Sequence, residues 1–271
     1  MNIANESELD KFIKQYPDTK MMEILMPDMN GIIRCKRIPR EEFSTFFCHG
    51  VKGPASTTLL NVRGEFCDEV DFANLEGDPD KLIYPIADTL APITWLKSDT
   101  AQVLATFTEL DGSPALFDAR NILYKALLPL QAKGLRPVVA TELEFYLIKS
   151  GDGPLPELFL AKIPGTNVDQ SGTQYAMPED LWDNDQFLED VRVACEVQNV
   201  PMTTVHSEFS PGQFEINLHH VGNPVTACDH AILLKRIIKG VARQHGMAAT
   251  FMAKPFADIP GSGLHLSLIH I

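Results

Sequence analysis

Positive charge is scarce in this chain and nowhere clustered. Its 271 residues carry 23 lysines and arginines against 36 aspartates and glutamates, a formal net charge of −13. Phosphate backbones and anionic bilayers are held through grouped basic side chains, so the composition argues against a nucleic-acid or membrane surface. Long apolar runs are missing as well. No stretch approaches the roughly 20 residues that cross a bilayer, and Met1 to Lys20 has no signal-peptide core, which makes the cytoplasm the expected compartment. Cysteine is sparse: Cys35, Cys48, Cys67, Cys195 and Cys228 are odd in number, far apart and without a C-x-x-C pair. That spacing speaks against a disulfide framework or a zinc site, and the thiols are expected to be buried. There is no internal repeat and no low-complexity tract. The 271-residue sequence is 45% hydrophobic, enough for one large or two ordinary domains with a real core.

Two compositions meet near residue 113. Residues 1–112 read as a small strand-rich unit. Ser7 to Gln15 is predicted to be a helix with Ser7 and Asp10 as its capping box. Met21 to Met26 and Ile32 to Ile38 flank Asp28-Met29-Asn30-Gly31, a strong hairpin signal. Arg40 to Phe47 reads as a helix; Ser56 to Val62, Ile93 to Leu96 and Val103 to Thr108 read as strands. From residue 113 to 271 helix and strand alternate. Asp118 caps a helix that Gly134 stops, Pro137 to Lys149 is a strand, and Asp185 to Gln198 is a helix. Pro201 to His220 reads as strand, turn and strand. Pro224 to His245 is a long helix stopped by Gly246, and Met247 to Lys254 is a strand; Gly151 to Ser171 reads as an exposed loop. Gly261 to Leu268 opens a glycine turn and an alternating strand that halts at Ile271 without a cap or polar tail, so the chain is expected to be an amino-terminal part of a longer protein.

The chemistry concentrates in four glutamates and a histidine. Glu142 and Glu144 alternate with apolar residues on the Pro137 to Lys149 strand; Glu208 and Glu215 bracket the next hairpin, and His265 lies on the last strand. Period-two spacing sends these groups to one face of a sheet. Two carboxylates about 5 Å apart repel by roughly 3 kcal/mol at an effective dielectric near 20, so a convergent set of four calls for divalent cations. The alternative is a solvated face of an antiparallel sheet. The nearly continuous apolar flanks, Pro137 to Ala140 and Phe145 to Ile148, favour the metal reading, because they suit a strand covered on both faces.

Five stretches then resemble, in order, the glutamine synthetases and their γ-glutamyl-amine ligase relatives. They are Asp28-Met29-Asn30-Gly31-Ile32-Ile33-Arg34, Glu142-Leu143-Glu144-Phe145, Glu208 with Pro211-Gly212-Gln213-Phe214-Glu215-Ile216-Asn217, Ala249-Thr250-Phe251-Met252-Ala253-Lys254-Pro255, and Gly261-Ser262-Gly263-Leu264-His265. The resemblance implies an α+β protein: a β-grasp-like domain over 1–112, then over 113–271 the first part of a catalytic α/β domain with a curved antiparallel sheet. It implies two Mg²⁺ or Mn²⁺ sites, one held by Glu144, Glu208 and Glu215, the other in part by Glu142 and His265. Hard oxygen ligands suit both ions, and an imidazole tilts the second site toward Mn²⁺. Gly261 and Gly263, with His265, are implied to border the amino-acid substrate, and Glu142 and His265 to stand at the reacting groups.

The implied reaction is ATP-dependent. The γ-carboxyl of L-glutamate takes the γ-phosphoryl of ATP to become an acyl phosphate, which an amine then displaces. Asn61 falls where ammonia-using members place an aspartate, Pro260 where they place an asparagine, and Ser267 where a second histidine is usual. With the phrases Glu-Leu-Glu-Phe-Tyr-Leu-Ile and Pro-Gly-Gln-Phe-Glu-Ile-Asn-Leu, these departures point to the γ-glutamylpolyamine synthetase branch. Ammonia remains the alternative nucleophile, and a non-catalytic metal- or nucleotide-binding module the alternative class. The resemblance also implies a ring-like homo-oligomer in which residues 1–112 help close a neighbour's site, and a 271-residue piece that has no ligase activity by itself.

Overall fold

The computed structural model describes residues 2–66, 77–151 and 156–270. The chain separates into two compact units, Met1–Gly134 and Leu135–Ile271, and its class is α+β.

The first unit is built on a mixed sheet. Strands β1 (Met21–Pro27), β2 (Ile33–Pro39), β3 (Val51–Pro54), β4 (Asp80–Pro85) and β6 (Thr100–Thr108) lie in the order β2-β1-β6-β4-β3, and β5 (Ala91–Pro92) pairs with β6. The central pair β1 and β6 is parallel and its other neighbours antiparallel, as a β-grasp arrangement requires. Helices α1 (Glu6–Gln15) and α2 (Phe43–His49) supply Leu9, Phe12, Phe43 and Phe46 to a core shared with Met22, Ile24, Ile83, Val103 and Phe107. The β1–β2 hairpin closes as expected: Asp28 is buried, its Oδ1 accepts from the amides of Asn30 and Ile32, and its Oδ2 pairs with Arg34 at 2.8 Å. Helix α3 (Ala119–Ala132) is tied to this unit through Asp118. That carboxylate caps the helix by accepting from the amides of Arg120 and Asn121, and it also accepts from the Thr106 hydroxyl and the Phe107 amide.

Several local expectations change. The first helix begins one residue earlier, capped by Asn5 rather than Ser7; the Asn5 side chain accepts from the Glu8 amide. Ser56 to Val62 is not a strand. Ala55–Thr58 is a 3₁₀ turn, in which the Thr58 hydroxyl donates locally to the Ala55 carbonyl and Ser56 bonds the distant Asp78 through its amide and hydroxyl. The short strand near residue 93 is Ala91–Pro92, and β3 and β4 carry too little alternation to be read in advance. The thiols are mostly outside: Cys35, Cys48 and Cys228 are exposed and only Cys195 is buried, while Cys67 lies outside the described residues.

The second unit is an antiparallel sheet of β7 (Pro137–Lys149), β8 (Met202–Ser207), β9 (Gln213–Leu218), β10 (Met247–Thr250) and β11 (Leu264–His270). Its order is β10-β7-β9-β8, with β11 beside β7 below β10. Helices α4 (Pro178–Asp183), α5 (Asp185–Val197) and α6 (Pro224–Gln244) complete it, α4 being one the sequence reading lacked. Helix α6 starts at Pro224 and is stopped at Gly246 as expected, with the Asn223 side chain capping it by accepting from the Val225 amide, and it packs behind β7 and β10 with Leu234, Ile237, Ile238 and Val241 buried. The strand beginning at Met247 ends at Thr250, four residues short of Lys254. The described residues of Gly151 to Ser171 are largely loop, with isolated bridges from Leu158 to Ile148 and from Lys162 to Asp169. The apolar side of β11 is a departure from a wholly buried sheet: Leu264, Leu266 and Leu268 are each more than 60% exposed.

Candidate active site and metal centre

The site is a product of register. Across β7 and β9, Glu142 stands opposite Asn217, Glu144 opposite Glu215 and Tyr146 opposite Gln213. β11 brings His265 opposite Glu142, and β8 brings His206 opposite Glu215. Because the side-chain period of a strand is two, all of these share one face, while Leu143, Phe145, Phe214 and Ile216 share the buried other.

Of the residues singled out in the sequence, Glu142, Glu144 and Glu215 come together around His265. His265 Nδ1 lies 3.5 Å from Glu142 Oε2 and 3.9 Å from Glu215 Oε2, and His265 Nε2 lies 3.9 Å from Glu144 Oε1. Glu208 follows the end of β8, its amide donating to the Gln213 carbonyl and its carboxylate accepting from the Phe209 amide. Two groups have ligand atoms within 4.8 Å of one another: Glu142, Glu215 and His265, and then His206, Glu208 and Glu215. Glu215 belongs to both. Burial, reinforced by Glu208, Glu142 and Glu144, holds its carboxyl above the usual carboxylate range against the opposing pull of His206. Such crowded oxygen donors with one imidazole per group fit Mg²⁺ or Mn²⁺.

The two glycines meet different neighbours. A Cβ on Gly263 would lie 2.6 Å from Glu144 Oε1 and 2.9 Å from His265 Nε2, so its bareness keeps the site open. A Cβ on Gly261 would lie 2.3 Å from the Ala253 carbonyl oxygen, a contact with backbone rather than with the acidic cluster.

Three residues here went unread in the sequence. His206 Nε2 is 2.9 Å from Glu208 Oε1 and 3.9 Å from Glu215 Oε1. Its period-two spacing to Glu208 was the available signal. Gln213 and Tyr146 extend the same face, two residues from Glu215 and Glu144 respectively.

Residues 116–270 match the family model described as glutamine synthetase, catalytic domain. The chain belongs to the glutamine synthetase family. Within that family it is 34% identical over 98% of its length to the γ-glutamylputrescine synthetase PuuA of Escherichia coli, covering 56% of that protein. It is 31% identical over 89% of its length to a glutamate–isopropylamine ligase of a Pseudomonas species, covering 52% of it. A solved GmaS complex with ADP shares the fold with a TM-score of 0.78 at 22% identity, over 97% of this chain and 55% of that one. The chain thus spans about half the length of the curated relatives it matches. Members of this family use ATP and divalent metal ions, in keeping with the crowded glutamates on the β7–β9 face.

Proposed function

We propose that the protein to which this chain belongs is an ATP-dependent ligase that joins the γ-carboxyl of L-glutamate to an amine, through a γ-glutamyl phosphate, with a polyamine as the favoured nucleophile. The observation that supports this reading is the strand register that sets Glu142, Glu144, Glu215 and His265 on one sheet face, with Glu208 beside Glu215. Glu144, Glu208 and Glu215 would hold one divalent cation, with His206 close enough to join them; Glu142 and His265 would hold part of a second. Bound Mg²⁺ or Mn²⁺ supplies neutralisation of phosphate charge during the in-line transfer. The protein's own work is to fix these donors and to keep a narrow opening. Gly261 and Gly263 border the amino-acid substrate in this reading, Gly263 leaving room beside Glu144 and His265. Residues 1–112 and 113–271 are read as the amino-terminal domain and the first part of the catalytic domain, in a ring-like homo-oligomer of the cytoplasm. A complete protein that turns over as a monomer in light scattering would overturn that assembly.

The choice of amine rests on similarity to ligases named for putrescine and isopropylamine, and on Pro260. Asn61 is a weaker pointer than the sequence suggested. Its Oδ1 accepts from the amides of Arg63 and Glu65 and its Nδ2 donates to the Glu65 carboxylate, so it serves to close its own turn. ATP turnover by the complete protein with glutamate and either putrescine or ammonium, at matched concentrations, tests the assignment. A kcat/KM for putrescine well above that for ammonium is expected; an ammonium value equal to or above that of every amine tried leaves ammonia as the substrate.

A further inference from the structure

Gln213 opens β9 and is 1% exposed, yet it is no ordinary core residue. Its side-chain amide commits both N–H donors, and its oxygen accepts from a backbone amide. Nε2 donates to Glu144 Oε2 at 2.9 Å and to the Gly261 carbonyl at 3.0 Å. Oε1 lies 3.2 Å from the Tyr146 hydroxyl and accepts from the Ser210 amide at 3.3 Å. The orientation of the amide is unambiguous, because a flipped group would set its oxygen against a carboxylate and a carbonyl, and its NH₂ against a backbone N–H. Tyr146 extends the network, donating to the Pro260 carbonyl at 2.6 Å.

The consequence for Glu144 is directional. One of its oxygens is tied back to Gln213, while Oε1 turns toward His265 and the space that Gly263 leaves free. The same amide grips the Gly261 carbonyl, so a single side chain couples the aim of a carboxylate on β7 to the placement of the Pro260 to Gly263 turn. We infer that Gln213 is a positioning residue: it orients Glu144 as a metal ligand and locks the glycine turn against it. This rests on the metal reading given above. Donors behind a metal ligand ordinarily shift affinity by about 10- to 100-fold when removed, because they fix the ligand before the ion arrives.

The test uses the complete protein and Mn²⁺, with free ion counted by electron paramagnetic resonance and the ligand arrangement read from the low-temperature spectrum of the bound ion. Gln213→Met keeps length and apolar bulk but loses both donors; Gln213→Glu keeps the shape and places a carboxylate against Glu144. Both should weaken Mn²⁺ binding by at least about tenfold and alter the bound-ion spectrum in protein whose circular dichroism is that of the parent. Should the methionine variant fail to fold, the glutamate variant carries the test alone. A parent chain that binds Mn²⁺ and folded variants that bind it equally, with an unchanged spectrum, overturn the positioning role and leave the metal site standing. A parent chain that binds no Mn²⁺ overturns both.

Discussion

Glu144 and Glu215 face one another across the β7–β9 ladder, in the same register that pairs Phe145 with Phe214 and Leu143 with Ile216 on the buried side. A slip of one residue would send the phenylalanines outward and the glutamates into the core, so the apolar pairs enforce the acidic one. The core thereby holds together like charges that would otherwise move apart.

Metal binding should therefore be selective among carboxylates. Glu144→Gln or Glu215→Gln should weaken Mn²⁺ binding at least about tenfold, as measured by isothermal titration. Glu6→Gln, at the start of α1 where the carboxylate accepts from the Ser44 hydroxyl, should leave it unchanged. Equal effects from all three would remove the metal reading.

Glu215 makes a second, signed prediction. Its carboxyl is raised above the ordinary value by burial and by neighbouring carboxylates. A raised carboxylate favours the folded state when protonated, and that contribution is lost as pH rises through its folded value. In chelator at pH 7.5, Glu215→Gln should raise Tm; the gain should shrink as the pH is lowered below the ordinary carboxylate range. With saturating Mn²⁺ the order should reverse, because the variant forgoes stabilisation by the ion. A variant less stable than the parent in both conditions at pH 7.5 would refute the crowding argument.

Much of this architecture was legible from local signals. β7 was bounded by Pro137 and Lys149, α6 by Pro224 and Gly246, and the first hairpin by Asn30-Gly31, because helix starts and stops, turns and periodicity act over a few residues. The residues that escaped are those whose meaning is non-local. His206 acquires its role only when β8 pairs with β9, and Gln213 only when β9, β7 and the Pro260 to Gly263 turn meet. Ser56 to Val62 departs from a strand for both kinds of reason: the Thr58 hydroxyl turns back to the Ala55 carbonyl three residues away, while Ser56 bonds Asp78, 22 residues on.

Asp180 offers a pH-dependent test away from the metal ligands. It is fully buried on α4, neither carboxylate oxygen has a hydrogen-bond partner among the described residues, and burial, aided by Asp183 and Glu179, pushes its pKa up to about 6. Stability is therefore present when the group is protonated and is lost as pH rises through about 6. Asp180→Asn should raise Tm by roughly 2–6 °C at pH 8 and by nothing near pH 4. An equal shift at both values would show that ionisation is not what limits this site.

The two glycines should separate function from folding. Alanine at 263 would bring its methyl against Glu144 Oε1 and His265 Nε2, two side-chain groups at the metal face that can swing aside. Alanine at 261 would meet the Ala253 carbonyl oxygen at 2.3 Å, which no side-chain rotation relieves, while Gly261 also offers its own carbonyl to Gln213. Moving that turn breaks packing first. Gly263→Ala should then keep Tm within about 2 °C of the parent while weakening Mn²⁺ binding about tenfold, through misdirected Glu144 and His265. Gly261→Ala should lower Tm by several times that amount, the effect of a forced backbone shift. Differential scanning calorimetry in chelator, followed by Mn²⁺ titration of each variant, reads both quantities. If Gly263→Ala instead lost stability without losing affinity, the opening beside Glu144 would be a packing requirement, and its role at the substrate would fall.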